Sequence, residues 1–332
     1  MPMSADPPAQ AVIGSGPEAA AGEALTALNV AHASVRFILD IEEIGRADRG
    51  QDLVGGVIFA AVVAANVAPV ARDPALQRAY SSLEEPAPEL LLRPVSISAI
   101  AHSLRMPFET VRRRLRGMVL DGIMSHGTGG VVVLPAALGS PSFLASMAAR
   151  HERLGAFYRE VKALGALPPE ALAPAPAASP SPVRISNRAV WQYVLRVVDE
   201  LMSMTGDVLT ALVFLGIIRA NVASLSPETV PAWTRSPFAH ATPVRISPLA
   251  RRLNLSPESC RRYAIALEGA GLCRRTTRGL FACVPPTTMD GVDRGVRANL
   301  ANVQRMFVSL RQLGALETWD TAAPPRTASL AS

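Results

Sequence analysis

Residues Arg93 to Gly130 read RPVSISAIAHSLRMPFETVRRRLRGMVLDGIMSHGTGG. Ile97, Ile100, Ala101 and Leu104 have helical spacing, and Met106-Pro107 is expected to break that helix because proline lacks an N–H and clashes with the preceding turn. Val111, Leu115 and Met118 then recur at i, i+4 and i+7, the mark of a second amphipathic helix. Gly122 is expected to end it, as glycine does where a helix terminus needs a left-handed residue. The face opposite the apolar stripe carries Arg112, Arg113, Arg114 and Arg116. After it, Ser125 to Pro135 reads as a hairpin with its turn at Gly127 to Gly130.

The stretch occurs twice. TPVRISPLARRLNLSPESCRRYAIALEGAGLCRRTTRGL, from Thr242, aligns without a gap 149 residues on, with 12 of 37 positions identical. Pro94 falls on Pro243, Glu109 on Glu258, Arg112 and Arg113 on Arg261 and Arg262, Gly122 on Gly271 and Gly130 on Gly279. The likeness extends outward. Asp52 to Ala68 aligns with Asp207 to Ala223, both ending in Ala-Asn-Val-Ala, and Ser142 to Leu167 aligns with Val296 to Leu316, both ending in Leu-Gly-Ala-Leu. The chain therefore divides into a disordered N-terminus (1–24), a first repeat (25–167, with its motif at 93–135), a proline- and alanine-rich linker without a packed core (168–184), a second repeat (185–318, motif at 242–285) and a disordered tail (319–332). A short helix is expected around Leu76 to Leu83.

Leu53 to Ala71 holds 19 residues without a charge, close to the length of a transmembrane helix. Its copy meets Arg219 after 11 such residues, and an arginine at mid-membrane is costly. A helix buried on most sides fits both copies, so no membrane role is expected.

Net charge is +6 and the isoelectric point near 9.9, which suits an anionic partner. One lysine, Lys162, stands against 32 arginines, and arginine offers bidentate contacts to phosphate and guanine. Cys260, Cys273 and Cys283 match no zinc spacing and read as free thiols of a cytoplasmic protein. The five histidines are scattered. No metal-binding, phosphate-loop or nucleophile-elbow pattern occurs, so neither catalytic residues, metal nor cofactor are expected.

A short helix, a tight turn, an arginine-rich helix and a hairpin together resemble the winged helix-turn-helix domains of bacterial transcription regulators of the broad MarR, GntR and IclR kind. In those families a run such as S-x-x-T-V-x-R-x-L-x-x-L-x-x-x-G-x-I reads DNA. Here it stands as PFETVRRRLRGMVLDGIM and SPESCRRYAIALEGAGLC. The resemblance implies a mainly α fold with small β-hairpin wings, two internally repeated winged helix-turn-helix units each flanked by apolar helices. It also implies that the second helix of each unit enters the major groove.

That assigns DNA contact to Thr110, Arg112, Arg113, Arg114 and Arg116 in the first copy and to Ser259, Arg261, Arg262 and Tyr263 in the second. Arg251 and Arg252 join them from the first helix of copy two, and Arg274, Arg275 and Arg278 from its hairpin, making copy two the more basic reader. Glu109 and Glu258 could accept from a cytosine amine; alternatively they favour the helix dipole and pair with Arg113 and Arg262 at i+4. The implied function is sequence-specific binding of double-stranded DNA, with two readers in one chain acting as a pseudo-dimer in transcription regulation. The alternatives are a plasmid replication initiator with tandem winged helices, or a winged-helix scaffold that binds proteins. Self-association through the apolar helices 53–68 and 208–223 is a further partner expectation.

Overall fold

The computed structural model of the chain describes residues 17–49, 52–174, 177–225, 229, 240–283 and 289–321. It is mainly helical, with two small antiparallel two-stranded sheets. In chain order the helices are α1 (Pro17–Arg49), α2 (Leu53–Asn66), α3 (Ala68–Arg72), α4 (Pro74–Ala79), α5 (Ile97–Ser103), α6 (Phe108–Leu120), α7 (Pro135–Leu138), α8 (Pro141–Ala163), α9 (Pro169–Leu172), α10 (Val183–Thr205) and α11 (Val208–Asn221). They continue as α12 (Ile246–Leu253), α13 (Pro257–Gly269), α14 (Met289–Gln312) and α15 (Glu317–Asp320). Strands β1 (Met124–Gly127) and β2 (Gly130–Val133) follow α6, and β3 (Cys273–Thr276) and β4 (Gly279–Ala282) follow α13.

The four long helices form the centre. Helices α1 and α10 each pack against both α8 and α14. Each contributes one ring to an aromatic knot. Phe37 of α1 stacks on Phe157 of α8 at 4.4 Å, and Tyr193 of α10 and Phe307 of α14 lie 6.3 and 5.9 Å from Phe157. All four are essentially sealed from water. In a chain with few aromatics, this placement concentrates the largest apolar surfaces where burial stabilises most. The helices of the two repeats thus share one continuous core.

Helices α2 and α11 lie between this centre and the hairpins. Each starts at an aspartate N-cap: Asp52 accepts from the Gly55 amide, and Asp207 from those of Leu209 and Thr210. Those caps satisfy amides that a helix start leaves orphaned. Helix α2 has 14 residues, about 21 Å at the α-helical rise, short of the roughly 30 Å bilayer core. Its long apolar side chains Leu53, Ile58, Phe59 and Val62 are buried. Almost all of α11 is buried inside the chain, so little apolar surface on it is left to meet another copy. Among the described helices, the segment Ala21–Arg46 within α1 has the length and hydropathy of a membrane span. It also carries Asp40, which pairs with both Arg153 and Arg219.

Several boundaries differ from the sequence reading. Helix α1 begins at Pro17, so 17–24 is helical rather than disordered; alanine and glutamate there have high helix propensity and extend the helix beyond its buried part. The proline- and alanine-rich connection is packed where it is described. Helix α9 lies in it, Ala171 is fully buried and its carbonyl accepts from Arg311 Nε at 2.9 Å. The tail is ordered as far as Thr321, because Trp319 is buried and Asp320 bonds Arg311, Lys162 and the Tyr158 hydroxyl. The expectations for residues 1–16, for the end of the second motif at 284–285 and for 322–332 fall outside the described residues.

Candidate nucleic-acid interface

The two copies of the motif build the same local structure. Helix α5 is capped by Ser96, whose hydroxyl accepts from the Ala99 amide at 3.1 Å. The turn into α6 is made by a left-handed residue, Arg105 with φ of 49°, and the same φ occurs at Asn254 between α12 and α13. This corrects the expectation that Met106-Pro107 ends the helix. The chain reverses at Arg105, and Pro107 stands at the start of α6, where its missing N–H costs nothing. Helix α13 is the better capped: the Ser256 hydroxyl accepts from the Ser259 amide and Pro257 occupies the first turn, whereas α6 has no side-chain cap.

One face of each second helix is buried, through Val111, Leu115 and Met118 in α6 and Cys260, Ala264 and Leu267 in α13. Gly122 and Gly271 end them with φ of 68° and 73°. At each, the glycine N–H and the next residue's N–H return to carbonyls of the last turn, a closure that needs a left-handed residue.

Each hairpin is fastened to the body by an asparagine. Asn66, at the end of α2, donates through Nδ2 to the carbonyls of Arg93 (2.8 Å) and Val131 (3.1 Å), and its Oδ1 accepts from the Val133 amide (2.9 Å). Asn221, at the end of α11, does the same with Thr242 (2.8 Å), Leu280 (3.1 Å) and Ala282 (2.7 Å). Both are fully buried. The strand before the first helix closes on the hairpin through paired bonds between Val95 and Val131, and between Val244 and Leu280. Gly130 and Gly279 sit under this pairing. A Cβ there would stand 2.5 Å from the Val95 oxygen or 2.7 Å from that of Val244.

This frame presents the basic side chains unequally. Arg112, Arg113 and Arg116 on α6 and Arg261 and Arg262 on α13 are exposed. The acids pair at i+3 instead of i+4. Arg112 bonds Glu109 with its Nη2 at 2.8 Å, and Arg261 bonds Glu258 at 3.2 Å. Arg113 forms no ion pair with a described residue, and Arg262 lies over its neighbour Tyr263 with its guanidinium carbon 5.2 Å from the ring centre.

Arg114 does not share the outward face assigned to it. It turns inward to the capping Asp52 at 2.5 Å, because its position on the helix faces the start of α2. Its counterpart Tyr263 is half-buried and packs against the core. Thr110 and Ser259 are half-buried in the first turns, and Ser259 Oγ accepts from the Ser256 hydroxyl at 2.9 Å.

On the second unit Arg251, Arg252, Arg274, Arg275 and Arg278 are exposed. Arg252 approaches Glu43 of α1 at 3.9 Å, and Arg275 is held by Glu268 of α13 at 2.8 Å. Glu268 therefore offsets the charge that Arg275 adds to the hairpin. Cys260 lies on the buried face of α13, where burial pushes its thiol up to about 11 and leaves little reactive thiolate at neutral pH. Sequence reasoning missed both asparagines as positioning residues, although the shared Ala-Asn-Val-Ala contains them, and it missed the turn role of Arg105.

Comparison with protein-family models, with curated proteins and with solved structures finds no match.

Proposed function

We propose that the chain binds double-stranded DNA with α6 and α13, as a cytoplasmic transcription regulator carrying two winged-helix readers in one chain. One observation carries this reading. On both helices a buried stripe fixes the orientation, and the opposite face bears an adjacent arginine pair of which the glutamate engages only the first member. Arg113 and Arg262 thus stand at the surface with no acidic partner among the described residues. A guanidinium so placed can meet a phosphate or the O6/N7 edge of guanine. The arginines of α12 and of the β3–β4 hairpin add a phosphate-facing surface to the second unit, which makes it the stronger contributor.

The test is binding of the protein to duplex DNA by fluorescence anisotropy across a salt series. Affinity should fall steeply with salt on a log–log plot, with a slope of about 0.9 per phosphate neutralised. Arg113→Ala and Arg262→Ala should each lower the slope by roughly that unit. Absence of binding at about 50 mM salt, where phosphate contacts are strong, would reject the reading and point to a protein partner for the same helices.

A further inference from the structure

A cavity of about 770 Å³ opens between α2, α5, α8 and α10. Its wall is largely apolar, with Leu104, Phe143 and Trp191 among the lining side chains. Arg72, Arg196 and one acid, Asp199, lie at its exposed rim, Asp199 beside Arg105, and Arg150, Arg184 and Arg188 line it deeper. The last three are more than nine-tenths buried. Arg150 bonds Asn187 Oδ1 at 2.7 Å and lies over the rings of Phe143 and Trp191. Arg184 donates to the carbonyls of Ser82 and Leu83, and Arg188 to those of Gln77 and Tyr80.

Neutral carbonyls satisfy hydrogen bonds but do not cancel charge. Neither Arg184 nor Arg188 forms an ion pair with a described carboxylate. Burial and the neighbouring Arg184 push the Arg188 guanidinium down to about 10. Glu84 acts on Arg184 from beyond ion-pair distance, but two adjacent buried cations remain an unfavourable arrangement that an anion in the cavity would relieve.

The other repeat carries no arginine at the matching positions. Counted back from the capping residues Asp52 and Asp207, Arg184 and Arg188 correspond to Asn29 and Ala33. Counted back from Leu164 and Leu313, Arg150 corresponds to Asn299. The related cavity of the other half, between α1, α10, α11 and α14, is about 240 Å³ and carries no arginine among its lining residues. The cationic lining is therefore particular to one of two related positions.

We infer that the larger cavity is a binding site for a small anionic amphiphile, with a carboxylate or phosphate head on Arg184 and Arg188 and an apolar body against Leu104, Phe143 and Trp191. The site adjoins the first reading unit. Ser103 of α5 and the following Leu104 are in its wall, and Arg105 of the turn donates to the carbonyl of Met202, another lining residue, at 2.7 Å. An occupant would thus bear on the α5–α6 pair; this consequence rests on the DNA reading, whereas the binding does not.

The experiment is calorimetric titration of the full chain, without DNA, with decanoate, decyl phosphate and decanol. At least one of the two anions should bind saturably at one site, and the one that binds more tightly identifies the head group. Decanol should bind at least about tenfold more weakly, the factor expected for one charge-assisted hydrogen bond. Arg184→Gln and Arg188→Gln should weaken the anion by a similar factor. Both arginines also hold the carbonyls of the 77–83 segment, so a cavity-filling variant, Leu195→Trp, provides a test that leaves them in place. It too should weaken binding about tenfold or more. No saturable anion binding, decanol binding as tightly as the anions, or unchanged affinity in Leu195→Trp would overturn the site. A chain that binds the amphiphile but not DNA keeps the site and loses the DNA reading.

Discussion

Asn66 and Asn221 each bind a helix to the strand pair that packs against it. Each satisfies two carbonyls and one amide with a single fully buried side chain. Removing it leaves those backbone groups without partners in a place water does not reach, a loss that exceeds the modest net value of any one hydrogen bond. Asn66→Ala and Asn221→Ala should each destabilise the protein by about 3 kcal/mol, measured by urea denaturation. A loss below about 0.5 kcal/mol would mean that the hairpins are held by side-chain packing alone. Neither asparagine stood out in the sequence, because a polar residue inside an apolar run has no partner until the strand that it meets is placed.

At the scale of the element, α6 and α13 show how similar residues take different roles. Arginines 112 to 114 are consecutive, yet at 100° per residue they point in different directions. One meets Glu109, one stays free of described acids and one closes on Asp52 at the start of α2. Arg114→Ala should therefore leave the salt dependence of DNA binding unchanged while lowering stability by no more than about 1 kcal/mol, as its ion pair is partly exposed. Arg113→Ala should do the reverse. Running anisotropy and thermal melts on both variants checks the pair, and an equal effect of both on the salt slope would contradict the assignment. The buried stripe and the terminal glycines were legible, since periodicity and left-handed helix ends are local properties. The division of labour within the arginine run was not, because it depends on where α2 begins.

At the scale of the whole molecule, the repeats interleave instead of standing side by side. Phe37 and Phe157 from one half close on Tyr193 and Phe307 from the other, and α1 and α10 each contact long helices of both halves. Cutting the chain at the proline- and alanine-rich connection would expose this knot on both sides. The full chain of 332 residues should unfold in urea as a single transition reported alike by far-ultraviolet circular dichroism and tryptophan fluorescence. Residues 1–175 and 176–332 expressed separately should lack cooperative unfolding and regain it on mixing. Two separated transitions, or a half that melts cooperatively alone, would show independent folding units.

The sequence by itself determined the helical character, the doubling of the motif, the hairpin positions, the buried stripes and the surplus of arginine. All are set by spacing of a few residues or by alignment of the chain with itself. Only the tertiary structure decided that the two halves share one core, that the connection and the start of the tail are packed, and which arginines face outward. It alone brought Arg184 and Arg188 to the wall of a cavity with Arg150. The reason is physical. Periodicity tells which side of an element is apolar, but the partner of that side, and the charge that a buried guanidinium finds or lacks, are set by elements more than a hundred residues away.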